Sequence, residues 1–146
     1  MAMHLEKSNI NLAAVYRPLN NKFLNPLMER IRKKYICKNQ IKKGISGTKE
    51  LLKEFKNGTS IALMIDQRAT EGINSELFGQ KALTTTIPAQ FIKKFDTAVV
   101  PIYIERLTDD TFQLKILNAV KFSKNETTND ITHKLNKLLE KMIMSN

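Results

Sequence analysis

Several residue types and motifs are scarce or missing in this chain of 146 residues, which has no tryptophan and one cysteine, Cys37. A single cysteine excludes an internal disulfide framework, and this favours a reducing compartment. Two histidines and Cys37 fall short of the four ligands that a structural zinc site usually takes. The sequence therefore predicts a fold held by its core alone, and it predicts no metal site.

Long apolar runs and common catalytic motifs are also missing. The longest apolar runs are roughly five to seven residues, whereas about 20 are needed to span a bilayer. The opening residues MAMHLEK lack the basic start and apolar block of a signal peptide. No GxSxG elbow, Walker A loop or GxGxxG loop occurs, so that type of serine hydrolase and the common phosphate-binding loops are disfavoured.

Positive charge is abundant. The chain has 24 Lys and Arg against 14 Asp and Glu, a net charge of +10 and an isoelectric point near 9.8. Such a balance indicates an anionic partner: nucleic acid, phospholipid head groups or a phosphorylated substrate. No long block of one sign is present, so a basic tail is not the cause. A lysine-rich composition with no binding role is the alternative.

The hydrophobic pattern predicts one α/β domain over residues 1–146, with 42% hydrophobic residues available for its core. We expect helices over 1–9, 25–36, about 46–57, 86–95 and 127–142, and strands over 11–17, 60–66, 98–107 and 111–120. This order predicts a mostly parallel sheet flanked by helices, with the last two strands forming one antiparallel hairpin. The stretch 67–85 is expected to be a long functional loop.

Local signals set the expected helix ends. They are Asn25-Pro26 at one start, Ser46 or Thr48 at the next, Gly58 in a left-handed C-cap, and a capping box of Thr127 with Asp130.

Polar side chains follow two of the predicted strands. Arg17 comes after AAVY, and Asp66, Gln67 and Arg68 come after ALMI. Ligands of open α/β sheets bind outside the carboxyl ends of the strands, so parallel strands would bring these groups to one edge. The alternative is that they only end the strands in solvent or, for Arg17, tie down the strand end.

The chain offers few candidates for a nucleophile or a base. Cys37 lies near lysines, which lower a thiol pKa, yet no histidine is near in sequence, so we expect it to be inert. Neither His4 nor His133 has an acid four or five residues downstream to orient its ring. Both are expected to be solvated surface residues.

Three segments, in order, resemble the lipid A biosynthesis (late) acyltransferases, of the lysophospholipid-acyltransferase-like superfamily. They read AAVYRPLNNKFLNPLMERIR, GTKELLKEFKNGTSIALMIDQRATEG and LFGQKALTTTIPAQFIKKFDTAVVPIYIER. The resemblance covers roughly residues 11–144. The chain departs from the family at Ile87, where many members carry Gly, and in SELFG, which is less aromatic than usual.

The resemblance implies a partial glycerolipid-acyltransferase-like fold and an O-acyltransferase without a cofactor. The acyl chain would pass from an acyl carrier protein thioester to a hydroxyl of a phosphorylated glucosamine lipid, at the cytoplasmic face of the bacterial inner membrane. The implied partners are acyl carrier protein, the anionic glycolipid and the membrane surface, with no nucleic acid. Arg17 would bind a phosphate or the developing oxyanion, Asp66 would orient Arg17 or a sugar hydroxyl, and Gln67 would donate to the acceptor.

The family's base is a histidine followed closely by an acid, in a motif ahead of the helix that leads into VYRP. We therefore expect this dyad upstream of Met1, together with a membrane anchor, and an inactive internal fragment here. Two alternatives stay open. One is another phospholipid or aminolipid acceptor, and the other, on charge alone, is a small nucleic-acid-binding module. The basic flank of residues 22–34 suits anionic lipid, acyl carrier protein or solvent.

Overall fold

The computed structural model describes residues 2–67, 69 and 71–145, with the side chain of Ile45 left out. Within these residues the helices and strands follow one another along the chain as α1 (Ala2–Lys7), β1 (Leu12–Tyr16), α2 (Leu24–Tyr35), β2 (Asn39–Lys42), α3 (Ile45–Lys56), β3 (Ser60–Ala62), β4 (Ile73–Leu77), β5 (Gln80–Thr84), α4 (Ile87–Phe95), β6 (Ile102–Arg106), β7 (Phe112–Ile116) and α5 (Thr128–Met144). The predicted α/β class is confirmed.

Contacts divide the chain into two compact units, Met1–Met64 and Ile65–Asn146, and each is described by itself. The single domain over residues 1–146 stays a prediction.

The first unit is built on a three-stranded parallel sheet in the order β2-β1-β3. The central strand β1 is covered, since Leu12 and Ala13 are buried with Ile41 and Leu51. The predicted parallel pairing is confirmed. Strand β2 was not predicted, because its four residues, NQIK, contain one apolar side chain and show no period that separates a strand from a loop.

The third strand is shorter than predicted. We expected a strand buried on both faces over 60–66, but β3 ends at Ala62 and Met64 is exposed. The pairing with β1 stops at Ala14↔Ala62. Ile65 packs in the second unit instead, against its hydrophobic core. The apolar run is longer than the strand because its last residue, Ile65, packs on the core of the second unit.

The second unit has a core between α4 and α5. Ala89, Ile92, Ile131 and Leu135 are buried there, with Ile65, Val99 and Phe122 packed around them. Strands β6 and β7 form the predicted antiparallel hairpin, and Val99 adds an isolated bridge to Val120.

A second hairpin lies where a loop was predicted. Residues 67–85 contain β4 and β5, paired antiparallel around the turn Phe78-Gly79. Both turn residues have positive φ, 51° and 72°. Two-residue hairpins favour such turns, but Asn-Gly or Asp-Gly is their usual sequence signal, and Phe-Gly carries none. The loop prediction was therefore wrong.

Helix α5 is attached to this hairpin by a buried amide. Asn136 is 1% exposed, and its Nδ2 donates to the Glu76 carbonyl and to Thr84 Oγ1, both at 3.1 Å. At the turn, the Phe78 backbone N–H donates to Glu140 Oε1 at 2.6 Å. The hairpin is therefore held by the last helix of the chain.

Two predicted helix starts were wrong. Helix α2 begins at Leu24, one residue before the expected Asn25-Pro26 pair, and Asn21 Oδ1 accepts from the N–H of Leu24. Helix α3 begins at Ile45 after Gly44, ahead of both Ser46 and Thr48, and no described side chain caps it. The reason is that Gly44 turns the backbone itself, so the hydroxyl side chains fall inside the first turn.

Two other helix ends are as predicted. Thr127 and Asp130 form a reciprocal capping box at the start of α5, with the Thr127 side chain accepting from the Asp130 N–H. Gly58 follows α3 with φ of 82°, in the left-handed region that the sequence indicated.

Candidate functional site

The carboxyl ends of the three parallel strands share one edge of the first unit's sheet. Tyr16 and Lys42, the last residues of β1 and β2, are register partners. The Lys43 N–H donates to the Tyr16 carbonyl at 2.8 Å and extends this pairing past the strand ends. Arg17 follows directly and is exposed. This edge, with Arg17, Lys42 and Lys43, is called the basic edge below. Open α/β sheets bind their ligands at such an edge.

One carboxylate ties helix α2 to this edge. Glu29 Oε1 accepts from Tyr16 Oη at 2.8 Å and from Asn25 Nδ2 at 2.7 Å. Lys42 Nζ lies 3.1 Å from the same oxygen. Glu29 therefore joins α2 to the ends of two neighbouring strands through two charge-assisted contacts, while the contact with Asn25 lies within the helix.

These contacts shift the pKa values of both Glu29 and Tyr16. The hydrogen bond from Tyr16, followed by those from Lys42 and Asn25, lowers the pKa of Glu29 to about 2. Burial, followed by the hydrogen bond to Glu29, raises the pKa of Tyr16 to about 12. At neutral pH the pair is therefore a carboxylate and a neutral phenol, which makes Tyr16 a donor and a poor proton acceptor.

Arg32 brings a second cation to the same place. Its guanidinium carbon lies 5.0 Å from the centre of the Tyr16 ring, within cation–π range. Its Nη1 is buried and has no hydrogen-bond partner among the described residues. Buried donors are nearly always paired in folded proteins, so this N–H is an exception beside Tyr16.

The three predicted site residues fall in both units. Arg17 belongs to the first unit, and Asp66 and Gln67 belong to the second. Asp66 and Gln67 are exposed and come four and five residues after the end of β3. Arg68 lies outside the described residues. A common site for Arg17, Asp66 and Gln67 stays a prediction.

The other reactive side chains lie on other elements. His4 and His133 are exposed, on α1 and α5. Cys37 is buried, its thiol donates to the Leu12 carbonyl at 3.1 Å, and burial raises its pKa. The lysines near it in sequence do not activate it. In the described ranges, no three His, Cys, Asp or Glu side chains come together as metal ligands.

Sequence reasoning missed Tyr16, Glu29, Arg32 and Lys42. Glu29 is the one acid in a helix that carries four basic residues, and this was the available signal. The four residues and Arg17 place several cations around a single carboxylate at the sheet edge. This arrangement has the charge to hold an anionic group, and none of these side chains is suited to act as a general base.

A pH-dependent contribution to stability is expected from Glu29. Because its pKa is lower in the folded chain than the ordinary 4.5, its contribution is complete above pH 4.5 and is lost as the pH falls through about 2. Glu29→Gln should therefore be less stable than the native chain at pH 7, with the difference shrinking between pH 4.5 and pH 2. Urea unfolding at a series of pH values measures this.

Glu50→Gln is the control, since Glu50 is an exposed carboxylate on α3 in the same unit. At pH 7 its loss of stability should be well below that of Glu29→Gln. A constant gap between Glu29→Gln and the native chain down to pH 2 would contradict the assignment.

Fold and site together define an α/β protein whose basic sheet edge is suited to an anionic ligand. The family model for the bacterial lipid A biosynthesis acyltransferases matches residues 1–146, and the chain belongs to this family. The resemblance seen in the three sequence segments is thereby confirmed, and its general function is acyl transfer in lipid A biosynthesis. No curated protein matches the chain.

Proposed function

We propose that this protein transfers a fatty acyl chain from an acyl carrier protein thioester to a hydroxyl of a phosphorylated glucosamine precursor of lipid A. The family match over residues 1–146 carries the proposal. The cations at the basic edge support a phosphorylated acceptor, and the net charge of +10 supports the acidic acyl carrier protein as donor. The reaction would take place at the cytoplasmic face of the bacterial inner membrane.

The chemistry needs no cofactor. The acceptor oxygen attacks the thioester carbonyl, a tetrahedral oxyanion forms, the carbon–sulfur bond breaks, and the carrier thiolate leaves and takes up a proton. A thioester is already activated for this exchange. The hydroxyl proton must pass to a base, and the oxyanion needs cationic or N–H donors.

Each residue of the basic edge has a role in this proposal. Arg17, which is exposed, binds phosphate oxygens of the acceptor, because a guanidinium presents paired donors to an oxyanion, and Arg32 adds positive charge beside Tyr16. Glu29 holds Tyr16 and Lys42 so that the edge keeps its shape. Asp66 is proposed to orient a sugar hydroxyl, and Gln67 to donate to the acceptor.

The 146 residues by themselves are proposed to bind substrate without completing the transfer. Neither His4, on α1, nor His133, on α5, forms an ion pair with a carboxylate in the described part of the chain. Mass spectrometry of the lipid product, with acyl carrier protein thioester as donor, tests this. Turnover by this chain would show that the base lies within it.

Arg17 is expected to control recognition of the phosphate. Arg17→Gln should weaken binding of a bisphosphorylated lipid A precursor by about 10- to 160-fold, since a hydrogen bond to a charged group is worth roughly 1.5–3 kcal/mol. Arg17→Lys should keep the charge but lose the paired donors, with an intermediate loss. Isothermal titration with the precursor in detergent micelles measures both.

The control is Lys53→Gln, which removes one positive charge from the exposed face of α3. Its affinity should stay within about twofold of the native chain. Equal binding of the dephosphorylated lipid, or equal losses in Arg17→Gln and Lys53→Gln, would contradict a phosphate site. Tighter binding of a glycerophospholipid or an aminolipid would mean that this lipid is the acceptor, while the proposed acyl transfer would be unchanged.

A further inference from the structure

Helix α2 turns its apolar side chains to solvent. None of its twelve residues is buried. Leu24, Leu27, Ile31 and Tyr35 recur every three or four residues along one face, and each is between 37% and 55% exposed. Phe23, directly before the helix, is 93% exposed. These five side chains are called the α2 stripe below.

The opposite side of α2 makes the contacts with the sheet, and these contacts are polar. Glu29 binds Tyr16 and Lys42, and Arg32 lies over the Tyr16 ring. An ordinary surface helix packs its apolar stripe on the core and presents its polar face to water. Helix α2 has the reverse arrangement, so its stripe is free for an apolar phase outside the unit.

Cations border the stripe. Helix α2 and its approach carry five basic side chains and one acid, Glu29, which is already paired with Lys42. The basic residues are Lys22, Arg30, Arg32, Lys33 and Lys34, and all except Arg32 are exposed. On a helical wheel, Arg30 and Lys34 lie along one border of the stripe, and Arg32 lies beyond the other.

We propose that α2 is an interfacial helix, which lays the α2 stripe into the head-group boundary of an anionic phospholipid bilayer. Leu and Phe on one face with Lys and Arg beside them are the features of helices that lie in the plane of the membrane surface. Face-to-face pairing of two copies would bring two sets of cations together. An acidic protein would pair with the cations, but its charged surface would leave the apolar side chains of the stripe, Phe23 above all, without an apolar environment.

The inference rests on the proposed function in one respect, because acyl transfer to a lipid acceptor requires a membrane substrate. The new element is the surface of the protein, the α2 stripe, that contacts the bilayer. Among the helices that the structure describes, none has the length and apolar character of a membrane-spanning segment. With α2 on the bilayer, the basic edge that Glu29 ties to this helix lies on the side of α2 that faces away from the lipid, one helix diameter (~10 Å) from the head-group boundary.

The absence of tryptophan allows a direct test. Leu27→Trp places a single indole in the stripe, and Phe112→Trp places one at an exposed apolar position on β7, where Phe112 is 67% exposed against 54% for Leu27. Vesicles of phosphatidylethanolamine and phosphatidylglycerol should shift the Leu27→Trp emission to the blue and leave Phe112→Trp unchanged. Vesicles of phosphatidylcholine alone should shift neither. No shift at position 27, or equal shifts at both positions, would overturn the proposal.

Vesicle sedimentation gives an independent measure. Leu27→Glu with Ile31→Glu should lower the partition coefficient by at least about tenfold. Phe112→Glu with Ile116→Glu makes the same charge change elsewhere and should leave it within about twofold. Arg30→Gln with Lys34→Gln should lower it about 10- to 30-fold, from about 1 kcal/mol per cation near an anionic surface. Lys49→Gln with Lys53→Gln removes the same charge from α3 and is the control for the Arg30 and Lys34 pair.

Two further outcomes decide against the proposal. A dimer in sedimentation velocity that Leu27→Glu with Ile31→Glu dissolves would assign the stripe to a second copy. Binding to acyl carrier protein that the same variant abolishes, with vesicle binding intact, would assign it to that protein. Vesicle binding is measured without acyl transfer, so its failure and the failure of the proposed reaction are distinguishable.

Discussion

Gly47→Ala should destabilise the chain by about 1–3 kcal/mol or more, although alanine is the better helix former. Gly47 is buried in the first turn of α3. A Cβ atom there would lie 1.7 Å from the Lys42 carbonyl oxygen and 2.9 Å from its carbon. Both are backbone atoms at the end of β2, so relief requires moving the strand end or the helix.

Helix propensity alone predicts the opposite sign, a gain of about 1 kcal/mol. Urea unfolding followed by circular dichroism measures the free energy, and hydrogen exchange at Lys42 and Lys43 reports whether the strand end moves. Ser46→Ala, at the exposed neighbouring position, is the control and should stay within about 0.5 kcal/mol. A Gly47→Ala chain as stable as the native one would contradict this close approach.

The clash has a functional consequence, because Lys42 is a partner of Glu29 at the basic edge. Displacing the end of β2 should loosen the contacts that hold Tyr16. We therefore expect Gly47→Ala to weaken precursor binding along with stability.

Ile131→Ala should cost about 2–5 kcal/mol, the range for removing a large aliphatic side chain from a core. Ile131 is fully buried and packs with Ala89, Ile92 and Leu135 between α4 and α5. Whole domains have about 5–15 kcal/mol of stability, so much of the second unit's stability depends on this one side chain. Urea unfolding gives the free energy, and faster hydrogen exchange within Thr128–Met144 would locate the effect.

Ile143→Ala is the matched control on the same helix, since Ile143 is 40% exposed and lies near the end of α5. Its cost should be well below that of Ile131→Ala, because little cavity forms at an exposed position. Equal costs for the two variants would mean that the core is not centred on Ile131.

The predicted elements with strong patterns are present in the structure. The apolar face of α5 and its capping box, the central strand β1 and the last hairpin all follow from local signals of three to ten residues. The strands that were not predicted have one cause in common, which is that they depend on contacts with distant parts of the chain. Strand β2 exists because β1 offers an edge to pair with, and the β4–β5 hairpin is held by Asn136 and Glu140 from a distant helix.

The same distinction applies to the site. Arg17 was found because it follows a strand that could be recognised in sequence. Tyr16 and Glu29 are thirteen residues apart, and Lys42 meets them only after α2 and β2 have folded. The apolar residues of α2 repeat every three or four positions and therefore share one face, but a period does not say which way that face points.

By itself, the sequence determined the family, the α/β class, the basic character and the identity of the helices with strong periodicity. These depend on composition and on neighbours along the chain. The tertiary structure decided which carboxylate joins α2 to the strand ends, which arginine N–H is left unpaired, and that the α2 stripe faces outward. Each of these depends on side chains from separate elements meeting in space, and a pattern of period two or 3.6 residues carries no information about that meeting.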